Sequence, residues 1–190
     1  MGPMGEGRHG PWDGAQFQER FDALAAQGVD VHGEADFVTA LAPSTVLDAG
    51  CGSGRVAREL AARGMDVVGV DSEPSMIAEA RRRSPDLEWL VADLAGLTLG
   101  RHFDVVVMAG NVPLFTPPGS NPDVVAGCAC HVAPGGALVV GFQLGRGYEI
   151  DEYDDHCRAA GLTLAERFAT WDRDPFPGDG SYAVSVHRAP

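Results

Sequence analysis

Val46-Leu47-Asp48-Ala49-Gly50-Cys51-Gly52-Ser53-Gly54-Arg55 is the stretch on which the fold turns. A short apolar run enters a glycine-rich turn. A segment with Val56, Leu60 and Ala61 at helical spacing leaves it. Glycine lets such a turn adopt positive φ and lets a ligand approach the backbone. A dinucleotide-binding loop of the form G-x-G-x-x-G would need Gly or Ala at position 55, where this chain has Arg55. Asp48, two residues before the first glycine, would repel a pyrophosphate but suits an ammonium group. The loop is therefore expected to hold a cationic or zwitterionic ligand.

Working outward, apolar runs alternate with helical patterns. Strands are predicted at 45–49, 66–70, 87–91, 103–108, 137–142, 162–171 and 181–187, and core helices at 54–63, 74–83, 121–132 and 150–160. Strands alternating with helices imply a mainly parallel sheet covered on both faces. The run Val105-Val106-Val107 fits a strand buried on both sides. In such sheets ligands bind beyond the carboxyl ends of the strands, at the topological switch point. Ahead of the alternation, Phe17, Phe21 and Leu24 make one apolar stripe on a helix over 15–27, and a second helix fits 34–41. The domain organisation expected is a flexible tail over 1–14, then one domain over 15–190, with a helical cap at 15–43 and a core at 44–190.

The composition excludes several chemistries. The chain has 190 residues, enough for one domain with a real core, and a formal net charge of −13. All 14 cationic residues are Arg, so Schiff-base catalysis and a phosphate-binding P-loop lysine are ruled out. The acidity argues against a nucleic-acid surface. Cys128-x-Cys130-His131 lacks the usual C-x₂-C spacing and a second ligand pair, so no metal is expected. No leader pattern and no membrane-length apolar run is seen, and a cytoplasmic protein without a membrane partner is expected.

Two further carboxylates close predicted strands. Asp71 ends Val67-Val68-Gly69-Val70, where an acid can accept hydrogen bonds from both ribose hydroxyls. Asp93 ends Trp89-Leu90-Val91-Ala92 and could take a donor such as an adenine amino group. Together with 103–113 and Pro134-Gly135-Gly136, these segments resemble the class I S-adenosylmethionine-dependent methyltransferases, most strongly over 45–142, and in particular small actinobacterial members.

The resemblance implies a Rossmann-like, doubly wound α/β sheet of seven strands in the order 3-2-1-4-5-7-6, with strand 7 antiparallel. It implies S-adenosyl-L-methionine as cofactor and a small molecule as methyl acceptor. Asp48, Gly50 and Gly52 would flank the methionine half, Asp71 would hold the ribose, and Ser72 and Met76 would meet the adenine. Asp93 and Leu94 would meet the far adenine edge, and Ala109 and Asn111 would line the sulfonium end. Arg20 is a candidate partner for the cofactor carboxylate.

Methyl transfer from a sulfonium needs alignment more than acid–base chemistry, so no strong catalytic signature is expected. Among the six histidines only His32, between the two cap helices, is expected near the cleft, as a base or an acceptor contact. Asn111 is the other catalytic candidate. Gln143, Tyr148, Asp172, Arg173 and Phe176 lie on further loops beyond strand ends. The expected activity is N- or O-methylation of a small molecule by a monomer or homodimer. The alternatives are a cofactor-binding protein without transferase activity and, less compatible with Asp48 and Arg55, a nicotinamide oxidoreductase.

Overall fold

Parallel strands, the inner ones rich in valine and buried on both faces, build the centre of the molecule. The computed structural model describes residues 13–28 and 30–190, without the side chains of Phe17 and Arg20. The expected loose tail therefore lies almost wholly outside the described residues, as does the proposed reach of Arg20. The chain order is α1 (Gly14–Ala26), α2 (Gly33–Thr39), β1 (Thr45–Ala49), α3 (Arg55–Ala62), β2 (Asp66–Asp71), α4 (Pro74–Arg83), β3 (Glu88–Val91) and β4 (Phe103–Met108). It continues through α5 (Val112–Phe115), α6 (Asn121–Ala129), β5 (Val132–Gln143), α7 (Ile150–Ala159), β6 (Thr163–Phe168) and β7 (Tyr182–Arg188).

The seven strands pair in the order β3-β2-β1-β4-β5-β7-β6, and β7 runs antiparallel to both neighbours. This is the order expected from the sequence. Alternation along each strand feeds two cores. Val46, Val67, Val105 and Val139 face α2, α3 and α4. Leu47, Val68, Val106 and Leu138 face α6 and α7. The parallel register places Asp48 opposite Gly69 on one side and Val107 on the other. The carboxyl ends of β1 to β4 thus open on one edge, and β1 and β4 flank the switch point. Among the described residues no helix is long and apolar enough to cross a membrane.

The third glycine of the loop has a packing reason. Gly54 sits at φ 79°, and a Cβ there would stand 2.3 Å from Cη2 of Trp89; a Cβ at Gly69 would meet the same indole at 2.3 Å. The bare backbones of β2 and of the α3 N-terminus leave the slot that the Trp89 ring fills.

Three local expectations differ from the structure. Pro134-Gly135-Gly136 does not precede β5 but lies inside it, as a bulge: Phe103 pairs with Val132 and Val105 with Ala137. Helix α6 consequently ends at Ala129 rather than at Val132. Strand β6 stops at Phe168, before Trp171, where Ala169 N–H bonds to the Asp174 carbonyl and Arg173 takes φ 65°.

Candidate functional site

A cavity of about 350 Å³ opens at the carboxyl edge of the sheet, within the usual size range for a small-molecule site. Its floor is Asp48 and the glycine loop. One wall is Asp71, Ser72, Glu73 and Met76 from the end of β2 and the start of α4. A second wall is Asp93, Leu94, Ala109 and Gly110 from the ends of β3 and β4. Val112, Phe115, Thr116 and Pro117 in and after α5 close one side, and Phe21 of α1 and Arg55 of α3 close another.

Asp48 is 1% exposed. Its Oδ2 accepts the N–H of Ala57 at 3.0 Å, in the first turn of α3. Burial pushes its pKa up to about 7, against the Ala57 bond and the Arg55 charge, and with a further push from Asp71 and Glu34. Asp71 organises the loop: Oδ2 accepts from Gly52 N–H at 2.8 Å and Oδ1 from Glu73 N–H at 2.9 Å. Burial also raises its pKa, opposed by those backbone bonds. Each carboxylate oxygen retains capacity for a second donor such as a hydroxyl. Asp93 is exposed at the rim, with Oδ1 accepting from Ala95 N–H at 2.9 Å. Met76 and Leu94 line the walls with side chains that are almost fully buried.

Nine of the residues singled out in the sequence therefore converge on one hollow: Asp48, Gly50, Gly52, Asp71, Ser72, Met76, Asp93, Leu94 and Ala109, with Cys51 of the glycine loop beside them. Asn111 and His32 stand outside it. Asn111 takes φ 67°, and its Oδ1 accepts from Gln143 N–H at 2.8 Å, tying the β4 loop to the end of β5. His32 precedes α2 and turns its Nδ1 toward Glu59 of α3, 3.7 Å away. The later loops also point elsewhere. Tyr148 bonds His156 at 2.7 Å and stacks on Phe142, and Arg173 lies 4.4 Å over the Phe37 ring.

Two cavity residues were read differently from sequence. Phe21 looked like part of a core stripe, and Arg55 counted only against a nucleotide loop. In the structure the Arg55 guanidinium lies 4.5 Å from the Phe21 ring centre and pairs with Glu34, Nη2 to Oε1 at 2.6 Å and Nη1 to Oε2 at 3.0 Å. An arginine opening the helix after the loop was the available signal; its partners lie too far along the chain for spacing to reveal them.

The donor set fits S-adenosylmethionine. Four carboxylates, Asp48, Asp71, Glu73 and Asp93, line the hollow, and Arg55 is the one cation among the described lining residues, already paired. That balance suits a positively charged sulfur. Asp71 offers acceptors for a ribose, and Met76, Leu94 and Val124 offer apolar surface for a base. No heavy atom stands within 4 Å of a Cβ built on Gly110, so the wall there is open to a ligand.

The fold and this hollow define a Rossmann-like methyltransferase domain. Residues 46–136 match the family described as Methyltransferase domain. The crystal structure of a TehB-like SAM-dependent methyltransferase from Corynebacterium glutamicum superposes with a TM-score of 0.88 at 33% identity, covering 93% of this chain and 98% of that one. The trans-aconitate 2-methyltransferase of Methylobacterium nodulans is 34% identical over 131 residues, 68% of this chain and 48% of that protein. The dTDP-3-amino-3,4,6-trideoxy-alpha-D-glucopyranose N,N-dimethyltransferase of Streptomyces venezuelae is 33% identical over 119 residues, 61% of this chain and 49% of that protein. The chain spans about half the length of these curated relatives. It belongs to the class I S-adenosylmethionine-dependent methyltransferases.

Proposed function

We propose that the protein transfers a methyl group from S-adenosylmethionine to a nitrogen or oxygen of a small molecule. The observation that carries this is the convergence of Asp48, Asp71 and the glycine loop on one cavity covered by the cap residue Phe21. When bound, the cofactor supplies an electrophilic methyl on a sulfonium, already joined to a good leaving group.

The residues then have mainly to bind, orient and exclude water. Asp71 holds the ribose hydroxyls, and Ser72, Met76, Asp93 and Leu94 hold the adenine. Asp48, Gly50 and Gly52 flank the methionine portion, and Ala109 borders the sulfur. Asn111, outside the hollow, steadies the loop after β4 through the bond its Oδ1 accepts from Gln143 N–H. His32 serves as a base only after turning from Glu59. The cap, residues 15–43, and the loops beyond the strand ends form the acceptor side.

The relatives named for trans-aconitate and for a dTDP-amino sugar act on anionic small molecules. The described lining here holds four carboxylates and one paired arginine. This favours a neutral or amine acceptor over a polyanion. The test is methyl transfer from labelled S-adenosylmethionine to panels of amines, phenols, carboxylates and nucleoside-diphosphate sugars. Tight product binding without turnover on any panel would leave a binding protein. Absence of binding at millimolar cofactor by folded protein would remove the proposal.

A further inference from the structure

Among the described side chains of helix α1, few are buried. Every residue from Asp22 to Gln27 is exposed, and Gln18 is the one buried side chain among those described on the helix. Helix α2 is different: Ala35, Phe37 and Val38 are exposed by 2% or less and belong to the core. Helix α1 packs closely on α4 at Gly14 and pairs Asp22 with Arg83 at 2.7 Å, and two further contacts end on cavity-lining residues.

The first is Ser53, inside the glycine loop. Its Oγ donates to Gln18 Oε1 at 2.6 Å, with both residues buried. The second is Arg55. Glu34, on the firmly packed α2, grips the guanidinium with both carboxylate oxygens, and the two side chains are only 16% and 13% exposed. Held there, the same guanidinium donates to the carbonyl of Val31 in the α1–α2 connection and lies against the Phe21 ring of α1. The order of support runs from α2 through Glu34 to Arg55, and from Arg55 to Phe21 and Val31. A planar, five-donor fork serves both faces of this clasp; a lysine ammonium cannot.

We infer that Arg55 is a positioning residue that fastens the cap helix over the cavity, with Ser53 as its second fastening, so that cap docking and occupancy of the glycine loop form one coupled equilibrium. The inference rests on the cavity being the cofactor and acceptor site proposed above. A ligand seated on Gly50 and Gly52 touches the loop segment that carries both fastenings. Phe21 is part of the cavity wall and lies against the Arg55 guanidinium. The ligand in the hollow therefore favours the docked cap, and the docked cap slows the ligand's departure.

The variants are Arg55→Lys, Glu34→Gln and Ser53→Ala, checked for native circular dichroism. Hydrogen exchange is read over residues 14–26 and over β1, β4 and β5, with and without S-adenosylhomocysteine. In the ligand-free protein, 14–26 exchanges about tenfold faster in Arg55→Lys and Glu34→Gln, the scale of one shielded charge-assisted hydrogen bond, while the strands are unchanged. S-adenosylhomocysteine leaves these variants about tenfold faster than wild type, Ser53→Ala shifts the same two readouts, and the Arg55→Lys/Glu34→Gln double variant matches the singles because the pair acts as a unit. Wild-type exchange over 14–26 in Arg55→Lys overturns the inference. So does a wild-type dissociation rate in both clasp variants, or faster exchange spread evenly over the sheet, which marks a structural role alone. If wild type fails to bind S-adenosylhomocysteine, the proposed function falls, and the ligand-free exchange still decides the clasp.

Discussion

Asp48 combines near-total burial with a single backbone donor, and its chemistry follows from that conflict. Its pKa, raised by burial to about 7, lies above the unfolded value of 3.8. The folded state therefore binds the proton more tightly, and stability falls as pH rises from about 4 through about 7, then levels. Asp48→Asn, which keeps an acceptor for Ala57, is expected to raise stability at pH 8 by up to about 4 kcal/mol, from roughly three pH units at 1.4 kcal/mol each. Urea unfolding at pH 4 and pH 8 checks this, with the gain confined to the higher pH. A cationic ligand beside the carboxylate lowers its pKa, so binding releases a proton. Affinity for S-adenosylmethionine is expected to rise about tenfold between pH 6 and pH 8, and calorimetry in buffers of different ionisation enthalpy counts the proton. A flat profile places the cation away from Asp48. Asp71→Ala removes acceptors rather than a proton switch, and a loss of about 1.5–3 kcal/mol in cofactor binding is expected from titration. These carboxylates were legible because each ends an apolar run, where parallel sheets place their ligands. Phe21 and Arg55 were not, because they meet across 34 positions of chain and neither carries a local mark of that meeting.

The elements show the same division between local and distant causes. The central strands stood out as continuous β-branched runs, and Pro74 placed the start of α4. The beginning of β5 did not stand out. Pro134-Gly135-Gly136 carries every local signal of a turn, yet pairing of Val132 with Phe103 extends the strand past it and absorbs the extra residues as a bulge. The one-turn helix α5 was missed for a related reason: four residues are too few to show a period, although Pro113 sits where a first turn tolerates it. Gly54 illustrates an element-level constraint that the motif disguises. Its alanine variant must accept φ 79° and a Cβ 2.3 Å from the Trp89 ring, wedged between β2 and α3. Gly54→Ala is expected to cost about 1–3 kcal/mol in urea unfolding, from overpacking and backbone strain together. Gly96→Ala, with a similar φ of 76° and nothing within 4 Å, is the control that isolates strain from packing. Equal losses at the two sites would deny the Trp89 contact its role.

At the scale of the molecule, two cores clamp one sheet, and the hollow lies where their strand connections part, between β1 and β4. The cores settle the architecture; the charge distribution settles what may enter. A net charge of −13 repels itself across the surface, and exposed ion pairs return little because each is worth about 0–1 kcal/mol. Salt screens both, but the repulsion is summed over the whole surface, so it prevails. Raising ionic strength from about 10 mM to 500 mM, where the screening length falls several-fold, is expected to raise Tm in scanning calorimetry. A falling Tm would mean that the ion pairs, including those holding α1, outweigh the global repulsion. Ligand linkage acts on the same quantity by another route. S-adenosylhomocysteine at about 100 times its Kd adds about 2.7 kcal/mol to the folded state, which for a domain of this length is a rise of about 5–11 °C. The Asp71→Ala protein at that same concentration should show a small fraction of the rise. An equal rise in both proteins would place the nucleoside outside the carboxylate-lined hollow and detach the fold from the function proposed for it.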